Sequence, residues 1–132
     1  MPFIIFIVVM SVLVVIHELG HFIVAKKNKV RVDEFGIGFP PKLFGIKWGQ
    51  TEYTLNLIPL GGFVRIKGEA GEDKGDHDSF ANKKVWQRGL ILSAGVIMNI
   101  LSAWIFMSLA LAIGVPVAVN DENIPAGVEV RN

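Results

Sequence analysis

The sequence predicts a mainly α membrane protein, with two transmembrane helices joined by a cytoplasmic, membrane-associated antiparallel β-hairpin or small sheet. Three observations predict it. Two runs almost free of charge are each long enough to cross a bilayer, the segment between them carries strand-like alternation, and the basic residues concentrate in that segment. Composition agrees, since 52% of the 132 residues are hydrophobic. There is no cysteine, which excludes disulfides and thiolate metal sites. The net charge of +1 gives no footprint for nucleic acid, and no nucleic-acid partner is expected.

Residues 1–26 form the first expected span. From Pro2 to Ala25 the uncharged run is broken only by Glu18 and the histidines, His17 and His21. At ~1.5 Å per residue such a helix reaches roughly 36 Å, enough for a ~30 Å hydrocarbon core. It lacks a basic leading region and a small-residue cleavage site, so it does not read as a secretory signal.

Residues 27–68 form the expected membrane-associated β segment. "EFGIGF", "KLFGIKW", "TEYTLNLI" and "GFVRIKG" read as strands, with a turn at Trp48-Gly49-Gln50-Thr51 and another at Gly61-Gly62. Phe35, Phe39, Phe44, Trp48 and Phe63 are numerous for a cytoplasmic loop. They suit either a small sheet with its own core or a sheet dipping into the membrane face. In the second case protein or water must satisfy its backbone.

Residues 69–88 read as a polar, solvated loop, "GEAGEDKGDHDS", followed by an interfacial lead-in that contains Trp86. Residues 89–115 form the second expected span, its helix ending near Ile113 because Gly114 and Pro116 follow. Residues 116–132 form an extracytoplasmic tail. Twelve of the thirteen Lys and Arg lie between Lys26 and Arg88. The positive-inside rule therefore puts the joining segment in the cytoplasm and both termini outside, in a plasma or inner membrane.

The chemistry concentrates in helix one. His17, Glu18 and His21 form H-E-x-x-H. Positions i and i+4 share a helix face, so the two imidazoles can converge on one metal ion. Glu18 lies about 100° around, placed to reach a water on the metal rather than the metal itself. Zinc suits two neutral histidines, one further ligand and an open position for water. Glu18 is then the general base. Ionisable residues near mid-membrane cost about 2.5–3.5 kcal/mol each on insertion scales, so three within five positions point to function. The competing reading is a polar contact between helices.

Helix two offers Gly95 and Asn99 in "SAGVIMNILSA". Its small residues suit close helix packing. An asparagine in a span wants a partner, and Asn99 can either hold a substrate backbone or orient a ligand near the metal.

These motifs resemble the site-2 protease family of intramembrane zinc metalloproteases, in particular the bacterial regulator-of-sigma-E protease type. The resemblance rests on "HELGHFIVAKKNKVRVDEFGIGFPPKLF", "TEYTLNLIPLGGFVRIKGE", "SFANKKVWQRGLILSAGVIMN" and "IGVP", in the family's order. It implies that His17 and His21 are zinc ligands and Glu18 the catalytic base. It implies that Gly95 and Asn99 handle substrate, with Val96 where the family commonly has proline. It also implies that the segment from Thr51 to Lys67 presents the substrate as an extended strand.

The resemblance further implies single-span membrane substrates such as anti-sigma factors. It implies a third ligand, an Asp in L-D-G or N-P-D-G, which this chain lacks; its only Asp after helix two is Asp121. The chain is therefore expected to be the N-terminal part of such a protease, with PDZ domains and the third ligand in an absent C-terminal half, and to be inactive alone. The alternative is a truncated membrane protein or subunit that uses the polar helix face for a metal or a partner helix.

Overall fold

The computed structural model describes residues 1–114. The tail expected over 116–132, with Asp121, lies outside them.

Helix α1 spans Pro2–Lys27 and helix α2 spans Val85–Ile113. Pro2 suits the start of α1, where its missing N–H is no loss. Lys26 and Lys27 close its last turn, favourably for the helix dipole. Helix α2 begins four residues before the expected span, taking in Val85–Arg88 of the lead-in, and it stops at Ile113 with Gly114 as its cap. A short 3-10 turn, Phe80–Asn82, precedes it, capped by the Ser79 hydroxyl accepting from the Ala81 N–H at 3.2 Å.

Both helices are long and apolar enough to cross a membrane, with mean hydropathy of 2.6 and 2.2 over their most apolar stretches. A core helix of a soluble protein would be mostly covered. Here the side chains from Phe3 to Met10 and from Ile100 to Leu111 mostly face outward.

Between the helices run two long antiparallel strands, β1 (Val32–Trp48) and β2 (Thr51–Ile66). Their register is double. Glu34, Phe35, Gly36 and Ile37 pair with Arg65, Val64, Phe63 and Gly62, and also with Glu52, Tyr53, Thr54 and Leu55. The second half of β1, Lys42–Trp48, pairs with the first half of β2 alone. The first half of β1 is thus flanked on both sides by β2, and the four strand stretches expected from sequence appear as two folded-back strands. The expected turn forms at Gly49-Gln50, with Gly49 at φ +64, which a two-residue hairpin turn requires.

One sheet face turns towards α1. Phe35, Ile37, Phe44, Ile46, Tyr53 and Leu55 share a cavity of about 380 Å³ with Leu19 and Phe22. Phe22 meets Phe35 and Tyr53 edge-on, at ring-centroid distances of 5.3 and 6.0 Å. Nearer the hairpin bends, a Cβ on Gly61 would touch Val14 and one on Gly62 would touch Val15. The Ser11 hydroxyl also reaches the Pro59 carbonyl at 3.3 Å.

The buried core sits where all elements meet: Ala25, Val30, Val32, Ile66, Phe80 and Ile91, joined by Phe22, Val24 and Val64. The loop read as solvated is tied to this core. Lys67 Nζ lies 2.6 Å from Asp76 and 2.9 Å from Asp78, the Arg31 N–H donates to the Asp78 carbonyl, and the Phe80 N–H donates to the Lys67 carbonyl. Hydrogen bonds from Lys67 hold the Asp78 carboxyl below its usual pKa, and those to Asp76 and Asp78 raise that of Lys67.

Candidate metal centre

The two helices run antiparallel and touch closely because small residues line the contact. Gly20 is buried against α2. A Cβ there would lie 2.6 Å from the Ala94 carbonyl oxygen and 2.8 Å from Met98 Cγ. Further along, the Gln87 amide donates to Asn28 Oδ1 at 3.2 Å, fixing the same register near the core.

This crossing brings His17 and His21 against Gly95. A Cβ on Gly95 would fall 2.5 Å from His17 Nε2 and 2.6 Å from His21 Nε2. The Nε2 atoms of both rings therefore approach one small volume beside Gly95, where no side chain fits. The rings meet edge-on, 4.8 Å between centroids at 75°. Such stacking lets two imidazoles aim their nitrogens at a common point without overlapping.

The far sides of the rings are held. His21 Nδ1 lies 2.7 Å from the carbonyl oxygen of Ile91. A carbonyl only accepts, so Nδ1 carries the proton and Nε2 keeps its lone pair. Ile91 is itself fully buried in the core, which fixes that carbonyl. His17 Nδ1 lies 3.2 Å from the side-chain nitrogen of Asn99, whose Oδ1 is buried without a hydrogen-bond partner.

Glu18 lies on the other side of the helix contact. It shares a stripe with Val14 and Val15, which touch Gly61 and Gly62, and with Phe22, which packs on Phe35. That stripe is the side of α1 on which Val14 and Val15 meet β2. Glu69, in the turn after β2, brings a further carboxyl to this side. Burial raises its pKa, and the Glu18 carboxylate adds to the rise.

The five residues singled out from sequence thus fall in one neighbourhood. His17 and His21 meet each other and Gly95, Asn99 meets His17, and Glu18 is one position along α1 on the side towards the hairpin. Two participants were not singled out. The Ile91 carbonyl is a backbone group in an apolar residue and leaves no trace in a motif. Glu69 is one acid among several in a polar loop, and only the fold brings it near α1.

The donor set fits a divalent ion such as zinc. It offers two imidazole nitrogens with at least one tautomer fixed for coordination, a volume free of side chain beside them, and a carboxylate one residue away. Among the described residues no third His, Cys, Asp or Glu joins the pair.

Comparison with known proteins points the same way. A family model described as peptidase family M50 matches residues 5–128. A protein of Clostridium perfringens, named as a candidate zinc metalloprotease, is 51% identical over 106 residues, which are 79% of this chain and 31% of that protein. Protease RseP of Yersinia pestis is 46% identical over 115 residues, covering 84% of this chain and 26% of its own. Regulator of sigma-E protease RseP of Escherichia coli is 44% identical over 119 residues, covering 84% and 26% respectively. The chain therefore spans about a third or less of the length of these relatives.

Proposed function

The chain belongs to peptidase family M50, the site-2 protease family of metalloproteases, and from that premise we propose that it carries the His/His/Glu part of an intramembrane zinc endopeptidase. The observation that carries this reading is the convergence of the His17 and His21 Nε2 atoms beside Gly95.

In this reading α1 and α2 cross a plasma or inner membrane, and the strands and polar loop between them lie on the cytoplasmic side. His17 and His21 hold the zinc. A third protein ligand, an Asp from outside the described residues, completes the set. When bound, zinc supplies Lewis-acid polarisation and makes a water acidic enough to attack at neutral pH. Glu18 accepts the proton of the attacking water and returns it to the leaving nitrogen. Gly95 keeps the reaction volume open, and Asn99 stands beside it on the same helix. Both serve substrate handling as well as site geometry.

The hairpin supplies the substrate's conformation. A helical peptide hides its carbonyls, so a membrane-spanning substrate must be drawn into extended form before hydrolysis. The strand stretch Gly62–Ile66 pairs on one side only, with the first half of β1, and lies on the Glu18 side of α1. A substrate strand lying along the hairpin there would pass the carboxylate. The substrates are single-span membrane proteins of the anti-sigma-factor type, and the reaction is regulated intramembrane proteolysis. The name of the Escherichia coli relative supports that class.

The experiment that tests this reading is cleavage of a reporter carrying one transmembrane segment by the membrane-inserted full-length protein, with and without a zinc chelator. Cleavage abolished by the chelator and restored by zinc supports it. Cleavage indifferent to the chelator overturns it.

A further inference from the structure

We propose that Asn99 is a positioning residue for His17, its side-chain oxygen accepting the Nδ1–H and so holding the ring with Nε2 bare and directed at the volume beside Gly95. The inference rests on the zinc reading of His17 and His21 and adds a residue to it.

The argument starts from a symmetry of need. Both imidazoles turn Nε2 towards Gly95. A nitrogen that carries a proton cannot coordinate, so each ring must keep its proton on Nδ1, and each Nδ1–H then needs an acceptor. His21 has one in the Ile91 carbonyl at 2.7 Å. For His17 the group at 3.2 Å is the amide of Asn99.

The Asn99 amide can sit in two orientations related by a half-turn, and its nitrogen and oxygen are assigned by their surroundings. With the nitrogen towards His17, Nδ1 is the acceptor. The proton then sits on Nε2, on the side facing Gly95, and the pair cannot share a cation. With the oxygen towards His17, Nδ1–H donates to it and Nε2 is bare. With the nitrogen towards His17, the outer oxygen is buried and accepts no hydrogen bond. The imidazole decides between the two orientations, and it selects the oxygen.

Two features make the choice specific. Asn99 is four residues beyond Gly95, so one face of α2 carries both the open volume and the acceptor. The Ile91 carbonyl, four residues before Gly95 on the same helix, serves His21. Helix α2 therefore holds both rings from behind while leaving their metal-facing sides free.

The test uses the full-length protein in lipid nanodiscs, labelled with ¹⁵N-histidine and freed of metal, above neutral pH. His17 is assigned by comparison with His17→Gln. The ¹⁵N shifts report which ring nitrogen carries the proton, and cobalt(II) titration reports affinity through its visible absorption. The wild type is expected to show His17 protonated on Nδ1. Asn99→Leu is expected to lose that preference and to weaken cobalt binding about 10- to 100-fold. Asn99→Asp, an acceptor of the same shape, should keep both. A wild-type His17 protonated on Nε2 overturns the inference without needing any variant. So does cobalt affinity unchanged in Asn99→Leu. If wild type binds no cobalt while His17 is protonated on Nδ1, the zinc reading fails and the Asn99–His17 pairing stands.

Discussion

Gly95 stands so close to His17 that a Cβ on it would lie 2.5 Å from the imidazole Nε2, and 2.6 Å from that of His21. No side chain fits between α2 and this pair. Gly95→Ala must push the rings aside or move the helix. A misplacement of about 1 Å at a reacting centre costs on the order of 100-fold in rate. We expect the full-length protein carrying Gly95→Ala to insert and fold but to cleave a membrane reporter about 100-fold more slowly, with zinc content reduced. Wild-type cleavage would show that the volume beside Gly95 is not the site.

Glu18→Gln separates base from ligand. Glu18 lies on the hairpin side of α1, around the helix from the imidazole pair, so its amide isostere should leave metal content unchanged. Losing a general base typically costs about 10²–10⁴-fold. Cleavage should fall by that amount at full zinc occupancy. Metal lost along with activity would make Glu18 a ligand instead.

Gly20 sets the spacing of the helices. A Cβ there would meet the Ala94 carbonyl oxygen at 2.6 Å, a backbone atom that cannot swing away. Gly20→Ala should therefore separate α1 from α2 and lower stability by about 1–3 kcal/mol, the usual range for overpacking. Detergent unfolding of the two proteins side by side measures it. An unchanged midpoint would mean that the crossing is not held at this point.

How much of this was legible in the sequence follows from which forces leave periodic traces. The two long apolar helices and the H-E-x-x-H pair were legible, because an unbroken apolar run and the sharing of one helix face both leave a pattern in the sequence. The strand stretches and the Gly49-Gln50 turn were legible for the same reason. The double pairing of the first half of β1 was not, because alternation fits either register equally well. Asn99 was visible as an anomaly in an apolar run, while its partner His17, 82 residues away, was not. The loop at 69–78 reads as solvated by composition, and only tertiary contacts with Lys67 tie it down.

That tie predicts a pH window. The raised pKa of Lys67 means its stabilisation is present below the unfolded value of about 10.4 and is lost as pH rises through the folded one. The lowered pKa of Asp78 means its stabilisation is present above about 3.9 and is lost as pH falls through the folded value. The clamp should therefore hold from about pH 5 to 9. Within that window Lys67→Met should speed hydrogen exchange at the Ser79 and Arg31 amides, which donate to Asp76 and Asp78 carbonyls. The expected factor is about two to five, the size of a part-exposed ion pair. As pH falls below the folded value of Asp78, which lies under the unfolded value of about 3.9, the two proteins should converge. Equal exchange at neutral pH would show that the backbone hydrogen bonds alone hold the loop.

The most direct test of the central claim is the metal content of the purified full-length protein, as wild type and as His17→Ala/His21→Ala. The account predicts about one zinc per chain in the wild type and none above background in the double variant, with folding of both checked by circular dichroism. Zinc retained in the double variant, or absent from wild type purified without chelator, would contradict it.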